Sequence, residues 1–250
     1  MTADVFNKII FLKNNKKYDE AIKLAKSAFR KTKNNCFNNE IYNCLNLQKK
    51  YNEAIKILKK MIKYEPDNIS LLKKIAYNYY ITGDFKKALK YYKQIAEREP
   101  VNPDNYYSIG LMYHYLNERK KAYNYYYNSI CIKPSHTAAL NNIGILYFEA
   151  KDYKNATITF KKAISVSPSN PEAYHHMGVI QRIFNNDEEL SELYLKKAIR
   201  LDPKYSDNYY QLALTYNKYG RHKEAIKTLK KCIELNPKNE PAKQLLEKIA

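Results

Sequence analysis

The sequence predicts an all-α array of short helix pairs, and three observations carry that expectation. Six prolines, Pro66, Pro100, Pro134, Pro168, Pro203 and Pro237, stand 34, 34, 34, 35 and 34 residues apart. Between successive prolines the apolar residues recur in two stripes at helical spacing, as in Tyr209, Leu212, Ala213 and Tyr216 followed by Ala225, Leu229 and Cys232. The five glycines occupy only two places in that frame: Gly110, Gly144 and Gly178 inside a first helix, Gly83 and Gly220 in the turn after it. A period of this length marks one supersecondary unit copied along the chain, each copy too small to bury its apolar face without a neighbour. Function is therefore sought on a surface that several copies share.

The units are expected at 2–34, 35–68, 69–102, 103–136, 137–170, 171–205 and 206–239. In the first, Tyr18, Ala21 and Ala28 fix the second helix, while Phe6, Ile9 and Ile10 fit the frame only with a shortened turn. In the second, Tyr42 stands where glycine or alanine is expected, which predicts splayed helices or a ring turned aside. The third carries Leu72, Ile75, Ala76 and Tyr79, then Gly83, Phe85, Ala88 and Tyr92. The fourth repeats the pattern with Tyr106, Ile109, Gly110, Tyr113, Ala122 and Tyr126, and the fifth with Leu140, Ile143, Gly144, Tyr147, Tyr153, Ala156, Phe160 and Ala163. Small residues let the two helices approach, large ones fill the space between units, and each proline ends a second helix it cannot continue. The sixth has one extra residue around Asn185 to Asp187, with Ser191 in place of alanine, so a local bulge is expected there. Residues 240–250, with Ala242, Leu245, Leu246 and Ile249, read as an amphipathic helix covering the last unit's open face.

Large aromatic, Leu/Ile, Gly/Ala and Tyr in the first helix, then Gly, Tyr/Phe, Ala, aromatic/Leu, Ala and Pro, at this period and over nearly the whole chain, resembles the tetratricopeptide repeat. The resemblance implies a right-handed superhelical α-solenoid of about seven helix-turn-helix repeats with a C-terminal capping helix, a single domain over 1–250. It further implies that the first helices line a concave groove holding peptides or extended segments of partner proteins. Placing that lining here gives a candidate peptide-binding set of Lys73, Tyr77, Tyr80, Tyr107, Leu111, His114, Tyr115, Asn141, Ile145, Phe148, His175 and Arg182. Lys73, Asn141, His175 and Arg182 would give directional contacts, and the tyrosines large contact area at low entropy cost. Two subclasses of the family do not fit. A clamp for a chaperone's terminal carboxylate needs asparagine where Tyr77 and Ser108 stand, and of the places for an asparagine ladder only Asn142 matches.

The net charge of +19 invites a nucleic-acid reading. Yet the groove-facing set holds three cations, Lys73, Arg182 and Lys218, against the four carboxylates Asp104, Glu149, Glu172 and Asp207. The excess sits on second helices and turns, at Lys86, Lys87, Lys90, Lys93, Lys161, Lys162, Lys196, Lys197, Lys230 and Lys231. Single-stranded nucleic acid tracked by the groove would want cations among its aromatics. The first functional reading is therefore an adaptor that binds a partly apolar peptide in an aromatic groove. The alternative is an RNA-associated protein using a basic convex face, against a plain solvated lysine surface.

Nothing in the sequence supports an enzyme. A phosphate-binding Gly-rich loop, a zincin helix, paired CxxC ligands and a nucleophile elbow are missing, and no cofactor is expected. His114, His175 and His176 would hold a metal only if three helices converged, and none is expected. Asp187, Glu188, Glu189 and Glu192 read as negative charge at a helix start. Cys36, Cys44, Cys131 and Cys232 lack paired spacing, the first residues lack a secretory signal, and no apolar run reaches membrane-spanning length. These features predict a cytoplasmic protein without membrane association, its ragged first unit offering a surface for self-association.

Overall fold

The computed structural model describes residues 2–250, and all regular structure among them is helical. The helices gather into two compact units, Met1–Tyr125 and Tyr126–Ala250. The first unit contains α1 (Thr2–Asn14), α2 (Tyr18–Thr32), α3 (Asn35–Leu47), α4 (Tyr51–Met61), α5 (Ile69–Ile81), α6 (Phe85–Arg98) and α7 (Pro103–Tyr115). The division falls within α8 (Arg119–Ile132). The second unit continues with α9 (Thr137–Glu149), α10 (Tyr153–Val166), α11 (Pro171–Ile180), a π-helical turn (Gln181–Asn185), α12 (Glu188–Leu201), α13 (Ser206–Lys218), α14 (His222–Leu235) and α15 (Glu240–Ile249).

The turn inside each helix pair is built the same way. The residues at Lys16, Lys49, Gly83, Asn117, Lys151, Asn186 and Gly220 all take positive φ, between 57° and 77°. The next amide then reaches back over the end of the first helix, as Asp84 N does to Tyr79 O at 2.9 Å and Asp152 N to Tyr147 O at 2.9 Å. This is the left-handed stop that satisfies a helix's last carbonyls, and it favours glycine because an L side chain strains there. Glycine fills it twice, while lysine fills it three times. Lys151→Gly is therefore expected to stabilise the second unit by about 0.5–1 kcal/mol, the relief of left-handed strain less glycine's added chain entropy. Equilibrium denaturation would read it; a loss of stability would show that the Lys151 side chain does more than tolerate the turn.

A second periodic device starts the first helices. Asn34, Asn68, Asn102, His136, Asn170 and Asn239 are N-caps, with side-chain acceptors such as Asn68 Oδ1 at 3.1 Å from Leu71 N and His136 Nδ1 at 3.1 Å from Ala139 N. The first five stand at a strict 34-residue interval.

Three local expectations meet specific outcomes. The first turn is not shortened: Lys17 N bonds Leu12 O at 2.9 Å, as in later turns. The missing residue lies after α2, where only Lys33 and Asn34 separate it from α3 and Lys33 takes φ 54°, in place of a proline-bearing joint. Tyr42 is not turned aside; its ring lies in the first unit's core with Lys74 Nζ 5.0 Å above it. The extra residue of the sixth pair is absorbed as the π-helical turn, closed by Asp187 N to Gln181 O at 2.9 Å, and Ser191 is buried with Oγ 2.9 Å from Thr215 Oγ1.

In the first unit Ile9, Ala21, Phe37, Ile41, Ala54, Leu58, Ile75 and Ala88 form one core. In the second, Leu140, Ala156, Phe160, Ala163, Ala173 and Met177 pack together, and Gly144 lies flat against the Phe160 ring. The end of the chain is closed by α15, whose Ala242, Leu245 and Ile249 pack with Ala213, Leu229 and Cys232.

Candidate functional site

The candidate residues fall into two sets, one on each unit. On the first, α5 and α7 carry Tyr77, Tyr80 and Tyr115, and α6 adds Phe85, which the sequence reading did not include. Phe85 stacks on Tyr115 with centroids 4.6 Å apart and planes 10° from parallel. Tyr80 lies 5.5 Å from Tyr115 and 6.4 Å from Tyr77, and the Tyr80 and Tyr115 hydroxyls are 3.2 Å apart. That hydrogen bond, partial burial and neighbouring phenols push the Tyr80 hydroxyl up to about 12, so Tyr80 stays a neutral donor or acceptor at physiological pH. Tyr77 and Tyr115 nevertheless leave 48% and 50% of their surface exposed. Tyr107, Leu111 and His114 are half-buried beside them, Leu111 packing on the core. Lys73 is exposed but held by Glu99 at 3.0 Å, and Asn102 and Asn105 also donate to that carboxylate.

On the second unit the polar candidates face inward. Asn141 is buried and exchanges two hydrogen bonds with Asn170, at 3.1 and 2.7 Å, while donating to Glu172 at 2.6 Å. His175 is buried too, with Nδ1 2.8 Å from Asn208 Oδ1 and Nε2 3.4 Å from Asp207. Arg182 donates to Gln211 Oε1 at 2.7 Å, and burial lowers its pKa. These side chains already tie each first helix to the next. Ile145 and Phe148 are half-buried; Phe148 lies 5.6 Å from Tyr153 and 5.2 Å from the His176 ring. Of the acidic run, Asp187 caps α12 through Leu190 N at 2.9 Å, and Glu188 and Glu192 pair with Arg221 at 3.1 and 2.6 Å.

The lysine-rich second helices of the first unit form their own recesses. One of about 510 Å³ is lined by Lys26, Arg30, Lys60 and Lys63 with Phe29 and Tyr64. Among the described residues no three His, Cys, Asp or Glu side chains form a metal-ligand group, and no helix is long and apolar enough to cross a membrane.

Residues 72–236 match the family model described as the cilia and flagella-associated protein 70 middle TPR-like domain. No curated protein matches the chain. Among solved structures, a tetratricopeptide repeat protein from Parabacteroides merdae is similar with a TM-score of 0.74 and 18% identity, covering 98% of this chain and 97% of that one. The APC/C Cut9–Hcn1 hetero-tetramer gives a TM-score of 0.72 at 17% identity over 96% of this chain, which spans only 48% of the chain it matches. YrrB, described as a TPR protein with an unusual peptide-binding site, gives 0.55 at 17% identity, covering 76% of this chain and 97% of its own. At such identities the structures share the fold.

Proposed function

The chain belongs to the tetratricopeptide-like family of that matching model, whose fold is a protein–protein interaction scaffold, and on that premise we propose that it binds an extended, partly apolar segment of a partner protein on the first helices of its repeats. The observation that carries this reading is the aromatic cluster of Tyr77, Tyr80, Phe85 and Tyr115. Its rings are held by stacking and by a hydroxyl pair, yet two of them stay about half exposed. Ordered, wettable aromatic surface is what a peptide side chain can bury at little entropic cost. YrrB, which shares the fold, is described as having an unusual peptide-binding site. No catalytic role is assigned to any residue, and four free thiols suit a reducing, cytoplasmic address.

The test is capture of a partner from native lysate at moderate and high salt by wild type and by Tyr77→Ala/Tyr115→Ala. Neither side chain belongs to the buried core, so the variant is expected to fold and to lose a protein partner that survives salt. A second reading, a polyanion such as RNA on the lysine-rich second helices, draws on the recess lined by Lys26, Arg30, Lys60 and Lys63. Nucleic acid retained by the variant and released by salt would favour it over the aromatic surface.

A further inference from the structure

In a chain of net charge +19, the second unit holds a cleft of the opposite sign. It measures about 450 Å³, and Glu172 and His175 of α11, Asp202 and Tyr205 of the following joint, and Asp207 and Asn208 of α13 line it, with no lysine or arginine among the lining residues. The three carboxylates act on one space. After burial, the influences that raise the Tyr205 phenol are Asp207, Glu172 and Asp202.

A separate observation concerns Asn208. Only 1% of it is exposed, its Oδ1 lies 2.8 Å from His175 Nδ1, and its Nδ2 reaches no acceptor. Exchanging the two amide atoms would leave Oδ1 unpaired instead, because His175 engages just one of them. A polar atom buried without a partner destabilises the free protein, and an incoming group that pairs with it removes that penalty. On this wall the unpaired group is an amide, which a peptide backbone complements.

We propose that this cleft binds an arginine side chain of the partner segment, its guanidinium between Glu172 and Asp207 over the Tyr205 ring and its backbone carbonyl toward Asn208. The inference rests on the reading of the first helices as a protein-binding surface and names the chemistry of one subsite. Arginine fits better than lysine on two counts. Its planar fork matches two carboxylates at once, and it stacks on an aromatic face. Tyr205 offers that face, being 51% exposed with its ring 6.0 Å from that of His175. A metal does not fit the same cleft, since its acidic side chains do not gather as a ligand group.

The experiment is a titration of the isotope-labelled full chain, read by amide chemical shifts, with acetyl-Ser-Gly-Ala-Arg-Ala-Gly-Ser-amide and with its lysine and citrulline forms. The arginine peptide is expected to shift Glu172, Tyr205, Asp207 and Asn208. Citrulline, which keeps the shape and loses the charge, is expected to bind at least about tenfold more weakly. Asp207→Asn should cost a similar factor. Because that change also removes a His175 contact, Asp202→Asn, which keeps the oxygen that Lys204 N bonds, serves as the milder second variant. Equal binding of citrulline, or no response at these four residues, overturns the proposal. If the peptides perturb Tyr77 and Tyr115 but not the cleft, the arginine subsite fails while the aromatic surface stands.

Discussion

Gly144→Val is expected to destabilise the second unit by about 3 kcal/mol, at the upper end of the cost of overpacking a closed core. A Cβ on Gly144 would lie 2.6, 2.8 and 2.9 Å from three atoms of the Phe160 ring, closer than any real contact allows. The ring has nowhere to go. Phe160 is fully buried, and the His176 ring lies against it at 5.0 Å and 6° from parallel. Gly83 provides the contrast: nothing lies within 4 Å of its added Cβ, so Gly83→Ala meets only the strain of φ 77°, about 1 kcal/mol. Denaturant unfolding of the two variants separates the causes. Adding Phe160→Leu should recover part of the Gly144→Val loss, as contacting sites do not add. A Gly144→Val protein as stable as wild type would mean that α9 and α10 are not locked at this approach.

His176→Phe is expected to flatten the loss of stability on acidification. Burial, followed by the neighbouring His175, lowers His176 from 6.5 to about 3, and its Nδ1 has no partner. Between those values the unfolded chain binds a proton that the folded chain refuses. Stability is therefore full above about pH 6.5 and falls as the pH drops toward 3, by up to about 1.4 kcal/mol per pH unit. Phenylalanine keeps a ring against Phe160 and removes the titrating nitrogen. A second window lies lower. Burial alone would raise Glu192, but hydrogen bonds from Lys196, Arg221 and Tyr216 outweigh it and hold the carboxyl near 2, below its usual 4.5. The stability it contributes is present above pH 4.5 and lost as the pH falls to 2, so His176→Phe should still unfold in strong acid. Unfolding midpoints from pH 7 to 3 for wild type and variant would show whether the upper window closes; superimposable profiles would assign the acid sensitivity elsewhere.

The helix pairs were legible because their punctuation is chemical. Proline cannot continue a second helix, and glycine at 144 or 178 is required by the ring or side chain facing it. The left-handed turn position was half hidden, since lysine occupies it at 16, 49 and 151 and nothing in a lysine announces positive φ. The cap series at 34, 68, 102, 136 and 170, a run of asparagines broken once by histidine, is a sequence signal for the start of each first helix, independent of the apolar frame. The apolar frame alone does not distinguish a shortened turn from the short joint at Lys33 and Asn34, because both satisfy the same spacing. For the candidate site, exposure of Tyr77 and Tyr115 followed from their place on the helix. The burial of Asn141 and His175 did not, because it depends on Asn170 and Asn208, residues 29 and 33 positions away that helical periodicity cannot pair. Phe85 was missed as a surface aromatic because it belongs to a second helix, whose first turn swings it over Tyr115.

The most direct test of the scaffold reading is site-specific photocrosslinking in native lysate, with the reactive group placed at Tyr77 or Tyr115 on the first helices and, in parallel, at Lys60 or Lys90 on the second. Adducts with a defined segment of one partner polypeptide from the first-helix positions, persisting at high salt and missing from the lysine positions, are the expected result. Adducts confined to the lysine positions, sensitive to salt and to nuclease, would contradict it and move the function of this chain to its basic face.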